Sequence, residues 1–334
     1  MKKHNERSFL VRFGRLMQDS FIHHFGSWGA FRVDKNGNFI DDMEAEQSLP
    51  NQEEKTMKWN IVTDSSSDLL PEKNNGGLVQ ISSVPFIISV GDTEYIDDEG
   101  LDTLALLDAM EQCAEASHTS CPTPNSWLEE FEKAEQTIAI TISSRLSGSM
   151  NSAMLAREMA LEKNPNRKIA VIDSCSAGPE LILCVEKAVE LIGQGLDFDA
   201  VVSGVVASLK ESHVAFALSS FDNLVKNGRM SKMAGFVARK LGMWGIGVGG
   251  DDGTIKMKGK TRGDKRAIEY VLTVMAEYGF RGGKVIISHC HNLNLAGKLR
   301  NRILELWTNT EVKVFHTRGL CCYYAERGGL IVGY

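Results

Sequence analysis

The chain has 334 residues, 43% hydrophobic and 24% charged, with a formal charge of −6, enough for two ordinary domains plus a tail. The acidic balance excludes a nucleic-acid surface, which needs a basic stripe to displace counterions from phosphates. No apolar run approaches the roughly 18–20 residues that span a bilayer, and the start at Met1 lacks the apolar core of a secretory signal, so a cytoplasmic protein is expected.

Residues 1–56 read as an N-terminal extension. Ser8–Phe25 sets Phe9, Phe13, Met17 and Phe21 four apart, with Arg7, Arg12 and Arg15 alongside, the pattern of an amphipathic helix with basic flanks. Docking on the body of the protein is expected, with at most transient membrane contact. Phe31–Ile40 holds two short apolar runs around Asn36-Gly37, a hairpin signal, and an acidic linker closes the segment near Thr56.

From Trp59 a unit recurs: a β-rich run, a loop of hydroxyls and carboxylates, then a helix. Asn60–Thr63 leads into Asp64-Ser65-Ser66-Ser67-Asp68. Thr137–Ile142 leads into Ser143-Ser144-Arg145-Leu146-Ser147-Gly148 and a helix stopped at Asn164-Pro165. Lys168–Ile172 leads into Asp173-Ser174 and a helix to Gly193. Strands alternating with helices predict parallel βαβ units, whose ligands sit beyond the strand C-termini. Residues 57–205 are therefore expected to form a Rossmann-like α/β domain. Residues 206–334 predict a second, α+β domain. Beyond about Asp199 the pattern changes, with helices near 199–211, 231–241 and 265–278, a strand at 284–288 that runs into His289, and a helix to about Trp307.

Each polar motif admits two readings. Thr119-Ser120-Cys121-Pro122-Thr123-Pro124 is stiffened by two prolines, so it is either a rigid loop offering hydroxyls to an anion or an ordinary helix entrance capped by Ser126 with Glu129. Asp64, Ser65, Asp173 and Ser174 are either ligand contacts or caps. Ser143, Ser144 and Ser147 resemble a nucleophilic loop, yet no G-x-S-x-G elbow is present, and donors at a helix N-terminus explain them without chemistry. Gly245–Gly250 satisfies G-x-G-x-x-G formally, but a strand follows where the fingerprint needs a helix, so no dinucleotide is expected. His289-Cys290-His291, with His316 downstream, is no recognised metal signature. Arg229 is either a surface ion pair or a fork aimed at a carboxylate or phosphate. The seven cysteines are odd in number and contain no C-x-x-C, so reduced thiols packed as small hydrophobes are expected.

Taken in order, Val62-Thr-Asp-Ser-Ser-Ser-Asp68, Thr119-Ser-Cys-Pro-Thr123, Ile142-Ser-Ser-Arg-Leu-Ser-Gly148, Val171-Ile-Asp-Ser174, Gly228-Arg-Met-Ser231 and the strand ending at His289 resemble the DegV family of fatty-acid-binding proteins. The resemblance spans about 59–300. It implies a two-domain fold with a long-chain fatty acid buried between the domains. The carboxylate would be held by Thr119, Ser120, Ser143, Ser144, Arg229 and His289, with Asp64, Ser65, Ser147, Gly148, Asp173 and Ser174 in supporting loops. It further implies a carrier with no catalytic residues, metal or cofactor, which presents the acid to a separate fatty-acid kinase for acyl-phosphate formation and phospholipid synthesis. The alternative is a small-molecule kinase or hydrolase using Ser143–Ser147. Two departures stand out. The family's histidine followed by a Gly-Pro-Gly turn appears here as His316-Thr317-Arg318-Gly319, which leaves the role of His316 open, and the 56-residue extension has no counterpart.

Overall fold

The computed structural model describes residues 32–33, 39–40, 58–74, 77–113, 117–231 and 242–334, and the chain divides into Met1–Glu54 and Lys55–Tyr334. In the first unit, Arg32–Val33 (β1) pairs antiparallel with Phe39–Ile40 (β2), as the Asn36-Gly37 spacing predicts. The expected helix over 8–25, the acidic linker and the helix expected over 231–241 lie outside the described residues, apart from Ser231 itself.

The second unit opens with Trp59–Asp64 (β3), buried at every position, the signature of a strand covered on both faces. After one 3-10 turn at Ser65–Ser67 come Glu72–Asn74 (β4), Val79–Val84 (β5), Ile87–Val90 (β6), Thr93–Ile96 (β7), the helix Thr103–Gln112 (α1), His118–Ser120 (β8) and the helix Pro124–Phe131 (α2). Gln136–Thr141 (β9), Ser149–Lys163 (α3), Lys168–Asp173 (β10), Pro179–Gly193 (α4) and Phe198–Leu209 (α5) complete the first half. The five-stranded sheet runs β10-β9-β3-β5-β4, parallel except for β4. Alternation decides its two cores. Ile61, Ile138 and Ile140 pack under α4 and α5, while their neighbours Val62 and Ala139 meet Trp127, Phe131 and the alanine stripe Ala153, Ala156 and Ala160 of α2 and α3. Each buried aliphatic side chain contributes about 1.5–3 kcal/mol.

Two boundaries differ from the sequence reading. Thr119 and Ser120 belong to β8, opposite Ile88 and Ile87 of β6; the prolines end that strand at Cys121 rather than excluding regular structure. The following helix is capped by Thr123, whose Oγ1 accepts the Ser126 N–H at 3.2 Å, and not by Ser126. Pro124 takes the first helical position, where its fixed φ fits and its missing N–H costs nothing.

The second sheet gathers Val214–Leu218 (β11), Met243–Gly249 (β12), Ile255–Arg262 (β13), Gly283–His289 (β14), Thr310–His316 (β15) and Leu330–Gly333 (β16). Its order is β13-β12-β11-β16-β14-β15, antiparallel throughout except between β14 and β15. Between these strands lie the helices Asp222–Lys226 (α6), Asp264–Glu277 (α7), Leu293–Leu306 (α8) and Gly319–Ala325 (α9). One face packs on α7 and α8 through Ile246, Val271, Leu272, Ile287 and Leu299. The glycines of β12 have a packing reason: a Cβ at Gly245 or Gly247 would run into the ring of Phe221 or Phe216.

Where the Gly-Pro-Gly turn is missing, side chains anchor α9. The Asp97 carboxylate accepts the N–H groups of Gly319 at 2.7 Å and Leu320 at 2.8 Å, filling the orphan donors of a helix start. Arg318 is 8% exposed and donates through Nη1 to Leu69 O at 2.6 Å and Ser83 Oγ at 2.8 Å. Its backbone N–H reaches Asp68 Oδ1 at 2.8 Å. Burial raises both carboxyls above the ordinary range, Asp68 to about 7.

Candidate functional site

The turns that follow β3, β9 and β10 meet β11, β12, β16 and α9 around a cavity that leaves about 100 Å³ for the centres of water-sized atoms. Its wall is mostly apolar, with Phe86, Ile142, Phe216, Leu218, Leu320 and Ile331 representative of both sheets. An apolar wall of this size calls for an apolar occupant, since its lining atoms otherwise lose contacts.

A small polar cluster interrupts that wall. Thr119 and Tyr324 share a hydroxyl hydrogen bond of 2.9 Å, and the Arg229 guanidinium sits 5.9 Å from the Tyr324 ring centroid. Arg229 is held by Nε donating to Leu146 O at 3.1 Å and Nη1 donating to Asn227 O at 2.6 Å. Its Nη2 has no acceptor among the described residues, which leaves a charged donor for a ligand. Burial pushes the Tyr324 hydroxyl above its ordinary pKa, so it stays a neutral donor. Ser66, Ser147, Ser176 and Thr254 add hydroxyl-bearing side chains to the lining.

Of the residues expected to bind a carboxylate, Thr119 and Arg229 line this cavity, as does Ser147 from the supporting set. The others lie elsewhere. Ser120, next to Thr119 on a strand, points to the opposite side and is exposed. Ser143 is buried beneath the lining, its Oγ donating to Gly253 O at 2.7 Å and accepting the Arg145 N–H at 3.2 Å. Ser144 is exposed, with its N–H on Asp173 Oδ1 at 3.1 Å. His289 is 1% exposed; its Nδ1 accepts the Asn292 N–H at 3.2 Å, so the proton sits on Nε2, unpartnered among the described residues. Burial, with His316 and His291 nearby, lowers its pKa to about 4 and keeps it neutral. His316 is exposed, its ring centroid 4.2 Å from that of His289.

The supporting carboxylates brace turns. Asp64 is wholly buried and accepts from the N–H of Ile142 at 3.0 Å and the hydroxyl of Ser149 at 2.7 Å, tying the first two loops together. Asp173 accepts the Ser144 and Cys175 N–H groups, and Ser174 Oγ accepts the Ser176 N–H at 3.0 Å. Ser65 Oγ accepts the Phe86 N–H at 3.1 Å, and Gly148 precedes α3. Tyr324 carries little signal in the sequence beyond the run Cys321-Cys322-Tyr323-Tyr324, and the sequence motifs do not include it. Among the described residues no three His, Cys, Asp or Glu side chains are placed to hold a metal ion, and no helix is long and apolar enough to cross a membrane.

Residues 58–333 match a family model described as an uncharacterised protein of the DegV family. The chain belongs to the DegV family. A DegV domain-containing protein of Streptococcus pneumoniae is 39% identical over 278 residues, which cover 83% of this chain and 99% of the relative. Among solved structures, the Streptococcus pneumoniae Fatty Acid Kinase (Fak) B3 protein loaded with linoleic acid superposes with a TM-score of 0.81 at 39% identity, covering 83% of this chain and 99% of that one. A DegV family protein from Eubacterium eligens loaded with heptadecanoic acid gives 0.79 at 36% identity, covering 82% and 98%. The mixed α/β architecture, with a parallel sheet and a second sheet, is thus the DegV fold.

Proposed function

We propose that this DegV protein is a carrier that encloses one long-chain fatty acid and presents its carboxylate to a separate fatty-acid kinase. The observation that carries the reading is the mostly apolar cavity with a cluster of Thr119, Tyr324 and Arg229 at its wall. Burial of each CH₂ contributes ~0.8 kcal/mol, so a 16-carbon chain supplies roughly 10 kcal/mol gross. A hydrogen bond to a charged head group adds ~1.5–3 kcal/mol. The tail therefore supplies affinity, and the polar cluster fixes which end faces the partner. Likeness to the Fak B3 protein supports the kinase as that partner and the cytoplasm as the place of work. Under this reading the chain needs no cofactor and performs no chemistry, and the Ser143 hydroxyl serves the fold by donating to the Gly253 carbonyl.

Native mass spectrometry of freshly purified protein is expected to show about one acyl ligand per chain. Added fatty acid plus ATP should yield acyl-phosphate only when a fatty-acid kinase is supplied. Turnover by the isolated chain would replace the carrier reading with the kinase or hydrolase one.

A further inference from the structure

Behind the cavity wall two thiols meet. Cys290, the residue after β14, and Cys322, in α9, bring their Sγ atoms to 2.8 Å, and both side chains are wholly shielded from solvent. Nonbonded sulfurs packed merely as apolar filler rest farther apart than this, whereas a disulfide needs ~2.05 Å. We propose that Cys290 and Cys322 form a reversible dithiol–disulfide pair, oxidised by a small peroxide, that locks α9 and with it one wall of the cavity. Each thiol gives up one hydrogen as the S–S bond forms, the O–O bond of the peroxide breaks, and the peroxide leaves as an alcohol and water, or as two waters when it is hydrogen peroxide.

The backbone holds both partners in place. Cys290 N donates to Gly329 O at 2.9 Å, Cys290 O accepts the Gly328 N–H at 2.8 Å, and Cys322 N donates to Arg318 O at 2.8 Å. The pair lies in an apolar cluster with Phe216, Leu218 and Leu224, which also line the cavity. The neighbouring Cys321 turns its Sγ to Ser66 O at 3.2 Å and belongs to the cavity lining. A bond from Cys322 to Cys290 would thus fasten the helix that carries Leu320, Cys321 and Tyr324. The hydrogen bond shared with Cys290, and then burial, push the Cys322 thiol up. Thiolate is the reactive form, so the closed pair reacts slowly and movement of α9 sets the pace.

The experiment treats the full-length protein with hydrogen peroxide, alkylates it under denaturing conditions and maps the peptides. The expected result is a loss of two hydrogens with Cys290 linked to Cys322. Release of a fluorescent fatty acid should then slow several-fold, and dithiothreitol should restore the original rate. Cys290→Ala and Cys322→Ala should each lack the link and release ligand at a rate that peroxide leaves unchanged. Alkylation of both thiols after treatment, or a link to a different cysteine, overturns the pair; an unchanged release rate in the linked protein overturns the lock. The wall-locking part rests on the proposed function, but the peptide map does not, so the pair is tested even in a chain that binds no fatty acid.

Discussion

At the residue scale, Arg229 and Ser143, both expected at the carboxylate, take different places: Arg229 lines the cavity and Ser143 is buried against Gly253. Arg229 keeps, among the described residues, a donor without an acceptor at the cavity wall. Arg229→Ala is expected to lower acyl-phosphate formation with an added fatty-acid kinase far more than it lowers binding, because the tail dominates affinity. Equal losses in the two assays would remove Arg229 from the presentation step. Ser143→Ala deletes the donor to the buried Gly253 carbonyl and should cost about 1–3 kcal/mol of stability, read as a lower urea midpoint, with fatty-acid selectivity unchanged. Asp68 provides a pH test. Its folded pKa of about 7 stands above the ordinary 3.8, so the folded state holds the proton more tightly. Its contribution is therefore complete below about pH 4 and is lost as pH rises through 7. Asp68→Asn, which suits the backbone φ of 62° there, should melt above the wild type at pH 8 and alongside it at pH 4. Parallel melting curves at both pH values would contradict this.

At the element scale, α9 depends on a buried ion pair where the family's Gly-Pro-Gly turn is missing. Asp97→Ala leaves Arg318 charged without its partner and uncaps the helix, a change that typically costs about 3–5 kcal/mol. Chemical denaturation together with retention of bound fatty acid measures it; a small shift with full retention would show that α9 is held elsewhere. The parallel strands and their loops were legible because β3, β9 and β10 are apolar runs ending in Asp and Ser. The helices α3, α4, α7 and α8 were legible from period and stop signals. The anchoring of α9 was not, since Asp68 and Arg318 stand 250 positions apart in sequence. Ser143 misled for a related reason: a serine in a hydroxyl-rich loop looks like a ligand donor until the turn at Gly253 is brought against it. Thr119 was legible as a hydroxyl beside two prolines but not as a strand residue, because its partner Ile88 lies outside any local pattern.

At the scale of the whole molecule, the match over 58–333 leaves the extension outside the part shared with DegV relatives. A chain beginning at residue 57 is expected to keep its bound acyl ligand by native mass spectrometry. The expected docking of residues 8–25 would appear as a lower melting temperature in the shortened chain, and a membrane role as lost liposome binding with melting unchanged. Retention of ligand only by the full chain would assign the extension a part in the cavity.

The position of β16 between β11 and β14 has a kinetic consequence. Val214 pairs with Gly333 and His289 with Leu330, whereas β12 and β13 form a local hairpin. Contacts between distant segments close slowly, so the hairpin should appear early in refolding and the centre of the sheet late. Helix α9 immediately precedes β16, which makes the ligand enclosure one of the last parts to assemble. In a stopped-flow experiment, capture of a fluorescent fatty acid is therefore expected to track the slowest refolding phase, and capture in an earlier phase would mean that the enclosure forms before its sheet is complete.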